Sequence, residues 1–356
     1  MQNVYVIAEA GVNHNGDLEL ARKLVESAAN AGADAVKFQT FDAKKLATRS
    51  APKASYQKHT TDAAESQLEM LSKLELPHEW HRELREYAHS CGIEFLSTAF
   101  DEDSLEFLEE FDMPFYKVPS GELTNGPLLW KFARSGRPLV VSTGMATMSE
   151  VEQALAVIAH AINADVEPAS LAEVWRGWSD PVWRASLQGR VTLLHCTSQY
   201  PTPMNECNLR AMDTLRAFGL PVGYSDHTEG VLIPVAAVAR GAVLIEKHFT
   251  LDRSMPGPDH KASLEPDELA QMVRYIRDLQ PAMGDGVKCP QPSEWNTRQA
   301  ARQHVIAARD ITAGATLARE DLGTARSGGG MPAAELWGLV GKPAARAYTS
   351  GDVILQ

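Results

Sequence analysis

Eight short apolar runs, rich in valine, isoleucine and phenylalanine, recur through the first 250 residues, and amphipathic stretches separate them. They read "VYVIAEAGVN", "AVKFQT", "EFLSTAF", "FYKVPSGE", "PLVVSTGM", "VTLLHCTS", "PVGYSDHT" and "AVLIEKHFT". Runs of this length are strand-sized, and near-continuous apolar character belongs to strands buried on both faces, as in parallel sheets. Between them lie helix-period segments such as "DLELARKLVESAANA" and "EPDELAQMVRYIRDL", which open with acidic residues suited to a helix N-terminus. Glycine precedes several runs ("AGADAV", "SGRPLV", "RGAVLI"), where a helix stops and hands over to a strand. Strand–helix alternation of this kind, repeated eight times, predicts a parallel sheet closed into a (β/α)8 TIM barrel. The alternative, an open doubly wound sheet, would carry a Gly-rich dinucleotide fingerprint after its first strand, and none is present.

Two connections exceed ordinary loop length. One, from Asp42 to Pro77, follows the second strand and is placed to fold over the barrel mouth. The other, from Asn163 to Gly189, holds three tryptophans and precedes the sixth strand. That is the face where barrels keep stability, so a packing or subunit-contact role is expected. The barrel domain is read as 1–283, a Pro/Gly-rich linker as 284–300, and a small β-rich module of short runs and Gly-containing turns as 301–356. A module of that size is near the lower limit for independent stability.

With 34 basic and 46 acidic residues the formal net charge is −12, and no basic stripe stands out, so no nucleic-acid partner is expected. Any anionic ligand must therefore be met by a local cluster of cations. No apolar stretch approaches the roughly 18 to 20 residues of a membrane span, so no membrane partner is expected. The opening "MQNVYVIAEAG" enters a strand-like run without a basic or cleavable segment, and the four cysteines form no CxxC pair. Both point to a cytoplasmic protein with reduced thiols.

In a parallel barrel the chemistry lies at the C-terminal ends of the strands. The polar residues there are Glu9 and Asn13, Lys37 and Gln39, Thr98, then Lys117, Ser120 and Glu122, then Ser142, Ser198 and Tyr200, Ser225 and His227, and Glu246 and His248. Spacing of two residues puts both members of a pair on one face of a strand. His227 and His248 would then enter one mouth from adjacent strands. Two imidazoles with Glu246 alongside suit a divalent Mn, Fe, Co or Zn ion; a single histidine would instead be read as a hydrogen-bonded core residue. Lys37 and Lys117, with Thr98, Ser120, Ser142 and Ser225, form a set suited to a phosphate or carboxylate ester. A structural ion pair with Glu9 or Glu122 is the alternative for either lysine. Glu122 is the candidate general acid or base. His195 and Cys196 are assigned to packing of the sixth strand. The residues alone thus describe a metal-dependent barrel enzyme acting on an anionic, phosphorylated substrate.

Taken in order, "IAEAGVNHNGDLELA", "GADAVKFQTF", "YKVPSGE", "STGMAT", "LLHCTSQYPTP", "GYSDHT" and "EKHFTLDRSMPGPDHKASLEP" resemble the sialic acid synthase family over nearly the whole chain. "ARDITAGATLAREDL" and "GLVGK" resemble its C-terminal antifreeze-like (SAF) domain. The resemblance implies a synthase that condenses phosphoenolpyruvate with an N-acyl amino sugar of the mannose type to give a nine-carbon α-keto acid. It assigns His227 and His248 to a divalent metal, Mn2+ first and Mg2+ or Co2+ next. It assigns Lys37, Thr98, Lys117, Ser120, Ser142, Ser198 and Ser225 to phosphoenolpyruvate, and Gln39, Tyr200, Asp259 and Arg326 to the sugar. Glu9, Glu122 and Glu246 take catalytic places around them. It also implies a domain-swapped homodimer in which Arg326 reaches the partner's site. Ser198 departs from an asparagine of some members, "RSGGG" lacks a proline that often follows the arginine, and the Trp-rich insert is absent from shorter members. N-acetylneuraminate is the expected product, with legionaminic or pseudaminic acid as alternatives. A metal-dependent aldolase or sugar-phosphate hydrolase, or a carbohydrate-binding protein, would be readings of another class.

Overall fold

The computed structural model describes residues 3–62 and 64–355. Eight of the runs form parallel strands: β1 Tyr5–Gly11, β2 Ala35–Thr40, β3 Glu94–Ala99, β4 Tyr116–Val118, β5 Leu139–Ser142, β6 Val191–Cys196, β7 Val222–Asp226 and β8 Leu244–His248. Their order is β3-β2-β1-β8-β7-β6-β5-β4, and β3 and β4, at its two ends, lie in contact. The sheet is therefore a nearly closed TIM-type barrel. Every residue of β5, β7 and β8 is buried, as both-faces burial requires. Gly32 and Gly92, at φ +78° and +75°, end the helices Leu18–Asn30 and His78–Ser90 and release the chain into β2 and β3.

The chain divides into two compact units, Met1–Gly284 and Asp285–Gln356. Within the first, the long connection after β2 carries three short helices, Ala43–Leu46, Ser55–Thr60 and Gln67–Ser72. Met70 and Leu74 pack with Phe41 at the end of β2 and Val12 in the loop after β1, so the segment covers the C-terminal side of those strands. Lys53 ties it internally, donating to Thr61 Oγ1, Asp62 O and Glu65 Oε1 at 2.7–3.0 Å. The Trp-rich segment forms two helices, Leu171–Trp178 and Pro181–Ala185, laid on the helix Met148–Asn163. Trp183 meets His160 edge to face at 5.1 Å, and Trp178 Nε1 donates to Glu152. Packing accounts for this segment.

The second unit carries a 3-10 turn, Pro292–Glu294, and a short helix, Trp295–Ala301, that starts inside the expected linker of 284–300 and ends one residue beyond it. An antiparallel pair follows, β9 Gln303–Ala307 and β10 Leu322–Arg326, over a core that includes Val305, Leu317, Leu336 and Tyr348. No helix among the described residues is long and apolar enough to cross a membrane.

Candidate active site at the barrel mouth

The residues at the strand ends meet as one connected centre. Glu9, Lys37 and Thr98 come from β1, β2 and β3. Lys37 Nζ stands 2.7 Å from Glu9 Oε2 and 3.6 Å from Glu246 Oε2, and donates to Thr98 Oγ1 at 2.8 Å. Across the mouth Lys117 Nζ lies 3.5 Å from Glu246 Oε1, which also accepts the Ser225 hydroxyl at 2.8 Å. Gln39 Nε2 donates to Glu9 Oε1 at 3.0 Å. Glu9, Lys37, Lys117, Ser225 and Glu246 are all buried.

Burial disfavours every charge here, so the balance of partners decides each group. For Lys37, the burial penalty is outweighed by Glu246 and Glu9, and its affinity for the proton rises. For Lys117, burial prevails over Glu246, and its pKa falls. The penalty on Glu246 is overcome by Lys117 and Lys37, which hold its carboxyl well below the usual range. Burial pushes Glu9 up in spite of Lys37. Asp259 is pushed up to about 7, by burial first and then by the Glu9 charge. The centre thus sets Lys37 and Lys117 around Glu246, whose carboxylate they hold ionised, and gathers basic groups at one place in an acidic chain.

Beside it lies a hydroxyl cradle. Ser120 Oγ accepts the Gly144 N–H at 3.1 Å and sits 3.1 Å from Cys196 Sγ. A Cβ on Gly144 would fall 2.2 Å from Ser198 Oγ, 2.6 Å from Cys196 Sγ and 2.7 Å from Ser120 Oγ, so only glycine lets these groups converge. Ser142 Oγ is buried and has no hydrogen-bond partner. An unpaired buried hydroxyl costs about 1–3 kcal/mol, and a bound ligand would relieve it. Cys196, assigned above to packing, therefore belongs to the mouth. The spacing of two that singled out the other pairs links it to Ser198, and its in-register partner on β7 is Ser225. Gly144 was missed as well; its only signal is a glycine directly after "ST" at a strand end.

The two histidines come together as expected. His227 and His248 have ring centroids 5.4 Å apart, and Tyr200 lies 4.1 Å from the first and 5.5 Å from the second. Burial lowers the pKa of both imidazoles, well below the usual value for His248. The Thr197 carbonyl, 2.7 Å from His227 Nδ1, takes that N–H and leaves Nε2 with its lone pair. His248 Nδ1 is buried without a partner, 3.9 Å from Asp259 Oδ2. Neutral imidazoles with a backbone-fixed tautomer are what a divalent ion requires of histidine ligands. Among the described residues no group of three or more His, Cys, Asp or Glu side chains is placed to hold a metal ion. The two imidazoles alone would supply two donors to an ion, and substrate or water would have to fill the remaining positions.

One expected residue of the barrel stands elsewhere. Glu122 leaves the strand in the 3-10 turn Ser120–Glu122, where its carboxylate accepts from Asn125 Nδ2 at 2.7 Å. It lines a neighbouring groove with Lys45, Phe100 and Asp101. Arg326 ends β10 in the second unit and is exposed. Lys247 and Asp226, which were not singled out, form a fully buried pair on the opposite face of β8 and β7.

Comparison with known proteins agrees with this geometry. The model of the NeuB family matches residues 24–288, and that of the SAF domain matches 302–356. The chain is 46% identical to the N,N'-diacetyllegionaminic acid synthase of Campylobacter jejuni over 357 residues, covering all of both chains. It is 44% identical to the N,N'-diacetyllegionaminic acid synthase of Legionella pneumophila, over 99% of this chain and 93% of that protein. Among solved structures, the N-acetylneuraminic acid (sialic acid) synthetase of Leptospira borgpetersenii in complex with citrate superposes with a TM-score of 0.68 at 33% identity. That match covers 82% of this chain and 89% of the other. A barrel whose mouth joins paired lysines, paired histidines and a hydroxyl cradle, followed by a SAF domain, belongs to the NeuB family of sialic acid synthases.

Proposed function

We propose that this chain condenses phosphoenolpyruvate with a 2,4-diacetamido-trideoxy mannose, giving N,N'-diacetyllegionaminic acid and inorganic phosphate. The acceptor class rests on one observation: the two relatives at 46% and 44% identity are named for that product, while the neuraminate synthetase structure matches at 33%. This favours the legionaminic product over N-acetylneuraminate.

In this reading Lys37 and Lys117 neutralise phosphate and carboxylate, and Ser120, Ser142, Ser198, Ser225 and Thr98 donate hydrogen bonds to their oxygens. Burial in a dry mouth strengthens each contact and orients C3 of the enol toward the acceptor. His227 and His248, with Asp259 near, would hold a divalent ion, Mn2+ first, whose Lewis acidity would polarise the aldehyde oxygen of the open-chain sugar. C3 bonds to the aldehyde carbon, water adds at C2, and the C2–O bond to phosphate then breaks with its electrons leaving on phosphate. Glu9, whose carboxyl is raised by burial, shuttles the protons of these steps, Glu246 stays ionised and holds the two lysines in place, and Glu122 serves the sugar side from its groove. Gln39 and Tyr200 contact the sugar, and Arg326 does so from the partner of a domain-swapped homodimer.

The test is turnover of the full-length, Mn2+-loaded protein with phosphoenolpyruvate and, in parallel, the diacetamido sugar or N-acetylmannosamine. The expected result is a kcat/KM at least tenfold higher with the diacetamido sugar, about 1.4 kcal/mol of discrimination. A preference for N-acetylmannosamine would overturn the acceptor assignment.

A further inference from the structure

A cavity of about 560 Å3 lies on the outer side of the hydroxyl cradle, between the loop after β5 and the loop after β6. Ser198 and Cys196 belong to both: they line the cavity and converge on Gly144 with Ser120. Gly144 lies between the two, and the space beside its Cα is filled by the Ser198, Cys196 and Ser120 side-chain atoms.

The chemistry of the lining is one-sided. Among the described residues, no aspartate or glutamate contributes to it, in a chain with 46 acidic residues against 34 basic ones. Its polar groups are the hydroxyl of Thr214, the amides of Gln199 and Asn208, and one guanidinium, Arg210; the hydroxyls of Thr143, Thr147 and Thr197 also line it but bond to Leu194 O, Glu150 and Glu206 O. Arg210 is exposed at the rim and has no ion-pair partner among the described residues. The rim is also strained: Met145, directly after Gly144, holds φ +65° with its side chain 72% exposed. A non-glycine residue in the left-handed region costs about 1–3 kcal/mol and persists where the surrounding structure demands it. Here the two residues before it are fixed. Thr143 Oγ1 is fixed to Leu194 O at 2.9 Å, and the Gly144 N–H to Ser120 Oγ at 3.1 Å.

We infer that this cavity is a second, outer anion site, which takes inorganic phosphate after it leaves the inner cradle, with Arg210 as its charged ligand. The inference rests on the proposed reaction, in which phosphate is freed beside Ser120 and Ser198. A cavity with no carboxylate among its lining residues and a guanidinium at its rim suits a small tetrahedral dianion. The bulkier organic product would leave through the barrel mouth.

The experiment is calorimetric titration of the full-length, metal-loaded protein with inorganic phosphate, which reads the site without turnover. Wild-type protein should bind phosphate saturably, Arg210→Met should weaken that binding about tenfold, and Arg210→Lys should restore most of it. Equal phosphate affinity in wild type and R210M would overturn the inference. So would loss of phosphoenolpyruvate and phosphate binding by the same factor, because Arg210 would then belong to the inner cradle. If the chain fails to turn over phosphoenolpyruvate, the function fails; an Arg210-dependent phosphate site would still stand as an anion site. Arg210 is exposed, so folding of the variants is expected, and unchanged thermal unfolding of R210K and R210M checks it.

Discussion

Gly144→Ala is the smallest change that tests the cradle. Its φ is not in the left-handed region, so alanine meets no backbone strain and the whole effect is one of space. The new methyl would fall at 2.2, 2.6 and 2.7 Å from Ser198 Oγ, Cys196 Sγ and Ser120 Oγ, each under the 3.0 Å that real Cβ atoms observe. Those three atoms sit on short side chains, which relieve the clash by rotating out of the cradle, and the Gly144 N–H bond to Ser120 is lost with them. Overpacking of this kind costs about 1–3 kcal/mol of stability. Two displaced hydroxyls, at about 0.5–1.5 kcal/mol each, remove about 1–3 kcal/mol of transition-state binding. The expected outcome is a 5- to 150-fold drop in kcat/KM for phosphoenolpyruvate, with KM for the sugar within about twofold of wild type. Ser198→Ala on the G144A background should recover stability, because it removes the closest clash, without recovering kcat/KM. Steady-state kinetics with each substrate varied and thermal unfolding of the same samples decide it. Wild-type kcat/KM in G144A would refute the cradle.

Other outcomes follow from the same contacts. Lys247→Met strands Asp226 in the wall of the barrel and should destabilise by about 3–5 kcal/mol in urea unfolding; the double change with Asp226→Leu should recover most of it. His81, fully buried and bonded to Thr40 Oγ1, has its pKa lowered by burial to about 4. The unfolded chain takes up that proton first, so stability is complete above about pH 6.5 and falls as pH drops toward 4, by about 2 kcal/mol between pH 8 and pH 5. His81→Gln should flatten the urea-unfolding profile over that window by the same amount; an unchanged slope would remove His81 from the account. His227→Ala should abolish binding of Mn2+, read by paramagnetic resonance of the free ion, while circular dichroism stays as in wild type.

Much of the fold was legible because eight buried strands leave an unambiguous period. The i, i+2 spacing of Ser225 with His227 and Glu246 with His248 also fixed the direction of those side chains, since a strand alternates strictly. The same rule explains the errors. Glu122 was read as facing the centre with Lys117, yet β4 ends at Val118 and the chain passes into a 3-10 turn, where alternation no longer governs direction. Cys196 was assigned to packing because a thiol reads as apolar, although its register beside Ser225 aims it at the mouth. The helix Trp295–Ala301 was read as linker because seven residues carry too little period to register. Gly144 could not be found from composition at all; its importance is the space around it, and that space is made by the ends of two other strands, β4 and β6.

The account stands or falls on phosphoenolpyruvate being split at C2 within the paired-lysine centre. The most direct measurement uses phosphoenolpyruvate labelled with 18O in the bridging position, incubated with metal-loaded protein and the diacetamido sugar. The released phosphate is then weighed by mass spectrometry. Retention of the label in phosphate, together with a nine-carbon keto acid, is the predicted result. Unlabelled phosphate would mean attack at phosphorus, and no sugar-dependent release would mean a different reaction; either would contradict it.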